Sequence, residues 1–104
     1  MDPEVAKVLA KITEADICVF EQDGAVLLRE VYGRRWIRLV EAGIERDLKD
    51  PGPYGRVQSG PDDPGRFFTD YYMWRRIPEL KQFALEGPGG AIAARLTRSQ
   101  QINY

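Results

Sequence analysis

A stretch rich in proline and glycine, from Asp50 to Arg66, constrains the fold of this chain more than any other segment. Its prolines and glycines are Pro51, Gly52, Pro53, Gly55, Gly60, Pro61, Pro64 and Gly65. Proline lacks a backbone donor and glycine favours turns, so neither a helix nor a central strand can run through these residues. We therefore predict a loop over 50–66. Because about 17 residues is long for a loop inside a compact domain, we expect a lid or a disordered connector.

The loop divides the chain into 1–49 and 67–104, and neither part is large enough to bury a core of its own. We therefore predict a single, incomplete domain over 1–104. The net charge of −1 gives no electrostatic reason to expect nucleic acid or an anionic membrane as a partner. No apolar run is long enough to span a bilayer. The single cysteine cannot form an internal disulfide, and we expect a cytoplasmic location.

Two short helices are predicted at the start of the chain. Asp2 and Pro3 are typical of a helix start. The apolar positions that follow share one helical stripe: Val5, Val8, Leu9 and Ile12. Thr13, with Asp16 three residues later, predicts a second cap and a helix from Glu14 to about Glu21. The side chains expected to be buried from this helix are Ile17, Cys18 and Phe20.

A strand and a long helix are predicted next. Residues 25–31 are mostly apolar and lie between Gly24 and Gly33, which favours a strand. The helix is predicted from Arg34 to Lys49, with a wide apolar face that needs burial against a sheet or another helix. The predicted inward positions are Trp36, Ile37, Leu39, Val40, Ile44 and Leu48. The charged residues expected on a solvated, ion-paired face are Arg34, Arg35, Arg38, Glu41, Glu45 and Asp47.

The part after the loop is predicted to contain an aromatic segment, two helices and a strand. The aromatic segment runs from Phe67 to Trp74, and Pro78 opens a helix that ends near Leu85. Residues 87–90, Gly-Pro-Gly-Gly, break it, and a second helix continues to about Thr97. The inward positions of the two helices are expected to be Leu80, Phe83, Ala84, Ile92, Ala93 and Leu96. Residues 101–104 alternate and predict the start of a strand.

The absence of histidine excludes several kinds of catalytic site. A Ser-His-Asp or Cys-His arrangement, a histidine general base and the facial triad of two histidines and one carboxylate all need an imidazole. One cysteine cannot form a thiolate metal site. Asp62 and Asp63 are interpreted as solvated turn residues. We assign no catalytic, metal-binding or cofactor-binding residue to this chain.

Aromatic residues lie beside two arginines after the loop: Tyr71, Tyr72, Trp74, Arg75 and Arg76. Such a cluster can stack nucleic-acid bases. The favoured interpretation is that the aromatics are core and the arginines a solvated rim, because the basic cluster is short and has acidic residues on both sides.

Five sequence pieces together suggest a family. They are F-E-Q-D-G-A-V-L-L-R-E-V at 20–31, Phe67-Phe68 with Asp70-Tyr71, Trp74 to Leu80, Ala91 to Leu96, and Ile102 to Tyr104. In their order and spacing they resemble the N-terminal region of the phytanoyl-CoA dioxygenase family, whose members are iron(II)/2-oxoglutarate oxygenases. The resemblance spans about Ile17 to Tyr104.

The resemblance implies an α+β chain: the mainly helical N-terminal part of a double-stranded β-helix (jelly-roll) oxygenase, with one or two peripheral strands. In the family, the His-x-Asp pair and the distant His that hold iron lie beyond the position of Tyr104. We therefore expect this chain alone to bind no Fe(II) and no 2-oxoglutarate. The complete enzyme would use both to hydroxylate an organic substrate.

The resemblance also implies that the aromatic segment helps to shape the substrate pocket. The residues assigned to that pocket are Tyr71, Trp74, Arg75 and Tyr104. The expected partner is a small-molecule substrate in the complete enzyme, with no nucleic acid and no membrane, and we expect self-association through unburied apolar surface.

Two other functions stay open. One is a non-catalytic interaction or scaffold module that uses the apolar face of the 34–49 helix and the strand edge at Ile102. The other is a single-strand nucleic-acid binder that uses 71–76.

Overall fold

The computed structural model describes residues 2–103, which form six helices and one two-stranded antiparallel sheet. The helices are α1 (Pro3–Ala10), α2 (Glu14–Asp23), α3 (Arg34–Lys49), α4 (Met73–Arg76), α5 (Pro78–Glu86) and α6 (Gly89–Thr97). The strands, β1 (Arg56–Val57) and β2 (Phe68–Thr69), lie between α3 and α4. About 55% of the chain is helical, and the predicted α+β class is confirmed.

The chain divides into two compact units. The first contains the described residues up to 34 together with those from 85 onward, and the second contains 35–84. The proline- and glycine-rich segment 50–66, which we expected to separate the two parts of the chain, lies inside the second unit. Contacts between α1, α2 and α6 join the two ends of the sequence in the first unit.

The first unit has the larger apolar core. Its buried members are Val8, Ile12, Ile17, Val31, Ile92 and Leu96. Both predicted helix starts are confirmed. Asp2 caps α1, because its Oδ1 accepts from the backbone N–H of Glu4 at 2.7 Å. At α2, Thr13 Oγ1 accepts from the backbone N–H of Asp16 at 3.1 Å, and Asp16 Oδ2 accepts from that of Thr13 at 2.9 Å. These bonds satisfy donors that a helix leaves open at its first turn.

The cap at α2 gives a direct test of this local bonding. We expect Thr13→Ala to lower the free energy of unfolding by about 1 kcal/mol, because one backbone donor of the first turn loses its acceptor. The measurement is urea denaturation followed by circular dichroism. Thr97→Ala is the matched control: its hydroxyl donates to the Ala93 carbonyl instead of capping a helix start, so we expect a change below about 0.5 kcal/mol. Equal losses in the two variants would contradict the capping role.

The prediction of a strand over 25–31 is wrong, because these residues form an irregular segment. Their burial still alternates: Val26 and Leu28 are half-buried against the core, whereas Ala25 and Leu27 are exposed, Leu27 by 70%. Within residues 2–103, the main chain of 25–31 makes no backbone–backbone hydrogen bond. A strand needs a neighbour to pair with, and the described chain provides none here.

Two further predictions for the first unit are wrong. Residues 101–103 do not form a strand, and Tyr104, the last residue of that prediction, lies outside the described residues. Cys18 is exposed. It follows Ile17 in α2, and one residue rotates a helix by about 100°, which carries the thiol off the buried stripe.

The second unit contains most of α3, whose predicted bounds are confirmed and whose predicted inward face is confirmed in part. Trp36, Gly43 and Asp47 are buried, whereas Ile37 and Ile44 are each 50% exposed. The burial of Asp47 and the exposure of the two isoleucines contradict the prediction. Four of the six predicted inward side chains are buried or half-buried, as expected: Trp36, Leu39, Val40 and Leu48.

Two contacts explain which side of α3 is covered. The ring of Trp36 packs edge-on against Phe83, with centroids 6.2 Å apart. Gly43 leaves room for Leu80, since a Cβ at this glycine would lie 2.7 Å from Leu80 Cδ2. α3 therefore packs through the side that carries Gly43, and the side that carries Ile37 and Ile44 remains exposed to solvent.

The segment predicted as an unstructured loop contains β1. Arg56 pairs with Thr69 and Val57 with Phe68. The backbone N–H of Gln58 extends the pairing by donating to the Phe67 carbonyl at 2.6 Å. Asp62 and Asp63 are exposed turn residues, as predicted. The later helices are also confirmed, with α6 beginning at Gly89. Their predicted inward side chains are buried or half-buried: Leu80, Phe83, Ala84, Ile92, Ala93 and Leu96.

Candidate functional site

Two aspartates and one arginine form the most buried charged cluster of the second unit. Arg76 Nη2 donates to Asp47 Oδ1 at 2.7 Å and to Asp70 Oδ2 at 3.3 Å. Its Nη1 donates to the Asp50 carbonyl at 2.8 Å. The side chains of Asp47 and Asp70 are 7% and 1% exposed, and that of Arg76 is 34% exposed. Gly52 admits the guanidinium, since a Cβ there would lie 2.7 Å from Arg76 Nε.

The two carboxyl groups of this cluster differ in proton affinity. Burial, with the neighbouring Asp70 as a further cause, raises the pKa of Asp47 from 3.8 to about 6, although Arg76 acts in the opposite direction. The pKa of Asp70 is lowered, chiefly by its hydrogen bond with Asp47. A protonated Asp47 that donates to an ionised Asp70 accounts for both directions. Both carboxyl groups are almost fully shielded from solvent.

Sequence reasoning missed this cluster. It placed Asp47 on a solvated helix face, which is wrong because this side chain is 7% exposed. It placed Arg76 on a solvated rim; Arg76 is exposed, but its guanidinium also bonds the two buried carboxyl groups, which sequence reasoning did not predict. The three residues lie on α3, after β2 and on α4. No short motif joins positions that are 23 and 29 residues apart, so the available signal was only an acidic residue in an otherwise apolar helical stripe.

Of the residues predicted to shape a substrate pocket, the structure brings two into one cavity. Tyr71 and Arg75 line a cavity of about 460 Å³, which we call the tyrosine groove; it is lined by Pro53, Tyr54, Tyr71, Tyr72, Arg75 and Arg76. Trp74 is not among the lining residues, but its ring centroid lies 5.4 Å from the Arg75 guanidinium carbon. Tyr104 lies outside the described residues. The assignment of these residues to a substrate pocket stays a prediction.

The expectation that the aromatics of this segment are core is wrong for two of them. Tyr71 is 64% exposed and Tyr72 is 58% exposed. Tyr54, which sequence reasoning did not single out, faces Tyr72 edge-on with ring centroids 5.8 Å apart. The only sequence signal for Tyr54 was an aromatic side chain in a segment of turn-forming residues.

The residues of this chain do not fit the iron centre that the resemblance implies for the complete enzyme. The sequence has no histidine, and within 2–103 no three cysteine or carboxylate side chains converge to hold a metal ion. A facial triad of two histidines and one carboxylate therefore has no ligand set here. Among the helices of 2–103, none is both long and apolar enough to cross a membrane.

Comparison with known proteins identifies no relative. No protein-family model matches the chain, and neither does any curated protein or any solved structure. A functional assignment therefore depends on the residues and the geometry described above.

Proposed function

We propose that this chain is the N-terminal part of a phytanoyl-CoA dioxygenase-like iron(II)/2-oxoglutarate oxygenase, and that it serves as scaffold for the barrel that performs the chemistry. The proposal includes a small organic substrate that the complete enzyme hydroxylates, and a cytosolic location. In it, the iron ligands come from sequence beyond Tyr104, because the residues present do not form an iron site. The helices of this chain would pack outside the barrel.

One observation carries the proposal: residues 25–28 alternate in burial like a strand, and yet no strand of the described residues pairs with them. Val26 and Leu28 cover the core of the first unit, whereas Leu27 points to solvent. The segment coincides with the part of the sequence that resembles the family's first barrel strand. A backbone that is patterned as a strand but unpaired has open donors and acceptors, and these are suited to pairing with further strands.

Hydrogen exchange tests this proposal. We expect the backbone amides of 25–31 to exchange at nearly their intrinsic rate in the 104-residue chain, since they make no backbone–backbone hydrogen bond. In a chain extended with the coding sequence that follows the Tyr104 codon, the same amides should become at least about 100-fold slower, as expected for a paired strand. The amides of α2 are the internal control and should be protected in both chains.

Two results would contradict the proposal. One is strong protection of 25–31 in the 104-residue chain. The other is an extended reading frame that encodes no His-x-Asp pair and whose product consumes no 2-oxoglutarate in the presence of Fe(II).

A second candidate function, a non-catalytic interaction module, is favoured by the exposed side of α3. Ile37 and Ile44 lie seven residues apart, hence on one face of the helix, and each is half exposed. If this face mediates self-association, sedimentation equilibrium should show a dimer that forms in the micromolar to millimolar range and is lost in Ile37→Lys and Ile44→Lys. Val19→Lys, at another exposed apolar position on a helix, is the matched control. A monomer over the whole range would remove self-association from consideration.

A further inference from the structure

A smaller cavity lies beside the tyrosine groove. This second cavity, of about 260 Å³, shares Pro53, Tyr54 and Tyr71 with it. The other residues that line the second cavity are Gly55, Arg56, Gln58 and Thr69. The two cavities therefore lie side by side on the second unit, with these three residues in common. A volume of about 460 Å³ for the larger cavity lies within the range of small-molecule sites.

The three tyrosine rings of the groove are largely exposed to solvent. Tyr54, Tyr71 and Tyr72 are each more than half exposed. Apolar surface that is exposed in one patch often marks a binding site. Tyrosine is suited to contact because it offers a large rigid face and loses little side-chain entropy. The edge contact between Tyr54 and Tyr72 holds these two rings against each other.

The backbone at Tyr72 supports a functional interpretation independently. Its φ is +57°, in the left-handed region, at the N-cap position of α4. A bulky side chain rarely adopts this conformation, whereas glycine does so freely. Strained backbone of this kind is kept chiefly where a side chain has a task. Here, the strain accompanies a tyrosine ring in the groove.

The groove also contains a positive charge without an acidic partner. The guanidinium of Arg75 lies over the rings of Tyr72 and Trp74, 5.1 and 5.4 Å from their centroids, and within residues 2–103 it forms no ion pair. Arg76, the next residue, is neutralised by Asp47 and Asp70. Within residues 2–103, the Arg75 guanidinium donates no side-chain hydrogen bond, so its N–H groups are available, and a guanidinium binds a carboxylate in bidentate fashion.

From these observations, we propose that the tyrosine groove binds a small planar anion, namely an aromatic ring that carries a carboxylate. The ring lies against Tyr54 and Tyr71, and the carboxylate accepts hydrogen bonds from Arg75. The proposal concerns residues that this chain already contains, so it does not depend on the oxygenase proposal and can be tested on the 104-residue protein.

The test is an NMR titration of the ¹⁵N-labelled protein with 2-naphthoate. We expect saturable shifts of the amides of Tyr54 and of 71–75, with a Kd of about 1 mM, the affinity that ordinary ligand efficiency gives to about 13 non-hydrogen atoms. Naphthalene-2-methanol has the ring without the charge, and acetate has the charge without the ring. Each should bind at least about 10-fold more weakly than 2-naphthoate.

Three variants separate the contributions. Arg75→Gln and Tyr54→Ala should each weaken 2-naphthoate binding about 10-fold, with unchanged circular dichroism because both side chains are exposed. Tyr72→Gly should weaken binding while its Tm is no lower than that of the unaltered protein, since glycine relieves the left-handed strain. Arg35→Gln is the matched control: its guanidinium lies 4.2 Å from the Trp36 ring centroid, it does not line the groove, and its loss should leave binding unchanged.

Several outcomes would overturn the proposal. These are the absence of saturable shifts, equal binding of the neutral alcohol with no effect of Arg75→Gln, or shifts that map outside the groove. An oligothymidylate that binds more tightly than 2-naphthoate and displaces it would assign the groove to single-stranded nucleic acid instead.

Discussion

Replacing Arg76 with methionine is expected to lower the free energy of unfolding by about 3 kcal/mol, the largest effect that we predict for a single substitution. Arg76 is the counter-ion of two carboxyl groups that are 7% and 1% exposed. Without it, Asp47 and Asp70 stay buried with a negative charge that no cation balances, and removal of one partner from such a cluster costs about 3–5 kcal/mol. We take the lower end of this range because a third of the Arg76 side chain is exposed. Urea denaturation at neutral pH measures the loss.

The neighbouring arginine provides the control. Arg75→Met removes the same charge from the same helix, one residue away. Since Arg75 forms no ion pair within residues 2–103, we expect its loss to change the free energy of unfolding by less than about 0.5 kcal/mol. If the two methionine variants unfold at the same urea concentration, the ion pairs of Arg76 with Asp47 and Asp70 do not stabilise the second unit.

The same cluster makes stability depend on pH, and the direction follows from the two carboxyl groups. The pKa of Asp47 is raised from 3.8 to about 6 in the folded chain, so its contribution is full below pH 3.8 and is lost as the pH rises through about 6. The pKa of Asp70 is lowered, so its contribution is present above its unfolded pKa and is lost as the pH falls below it. Stability from this pair is therefore greatest between about pH 4 and 6.

We expect the free energy of unfolding to fall by about 1 kcal/mol between pH 5 and pH 7.5, from the shift of Asp47. Asp47→Asn should abolish this fall, because the amide donates to Asp70 at every pH and its oxygen still accepts from Arg76. The variant should therefore be more stable than the unaltered protein at pH 7.5. Urea denaturation at a series of pH values provides the comparison.

Asp62→Asn, at an exposed turn position, is the control for this series and should retain the pH profile of the unaltered protein. A profile of Asp47→Asn that runs parallel to that of the unaltered protein would show that another group causes the pH dependence.

The sequence alone predicted those features that neighbours within one helical turn determine. Thr13 and Asp16 cap each other across three residues, and the bounds predicted for α3 and the starts of α2 and α5 follow from local patterns of apolar residues, proline and glycine. Such interactions are the same wherever the helix is placed, so they can be predicted without knowledge of the rest of the fold.

Only the tertiary structure decided the features that need a distant partner. α3 carries two apolar stripes, and the fit of Leu80 against Gly43 determined which side is covered. Residues 25–31 have the composition of a strand, yet a strand requires hydrogen bonds from a neighbour, which the described chain does not provide. The buried cluster around Arg76 and the tyrosine groove join residues that are far apart in sequence. The residues of the cluster and of the groove come from separate segments of the chain. Their burial and their charge balance therefore arise only when folding brings these segments together.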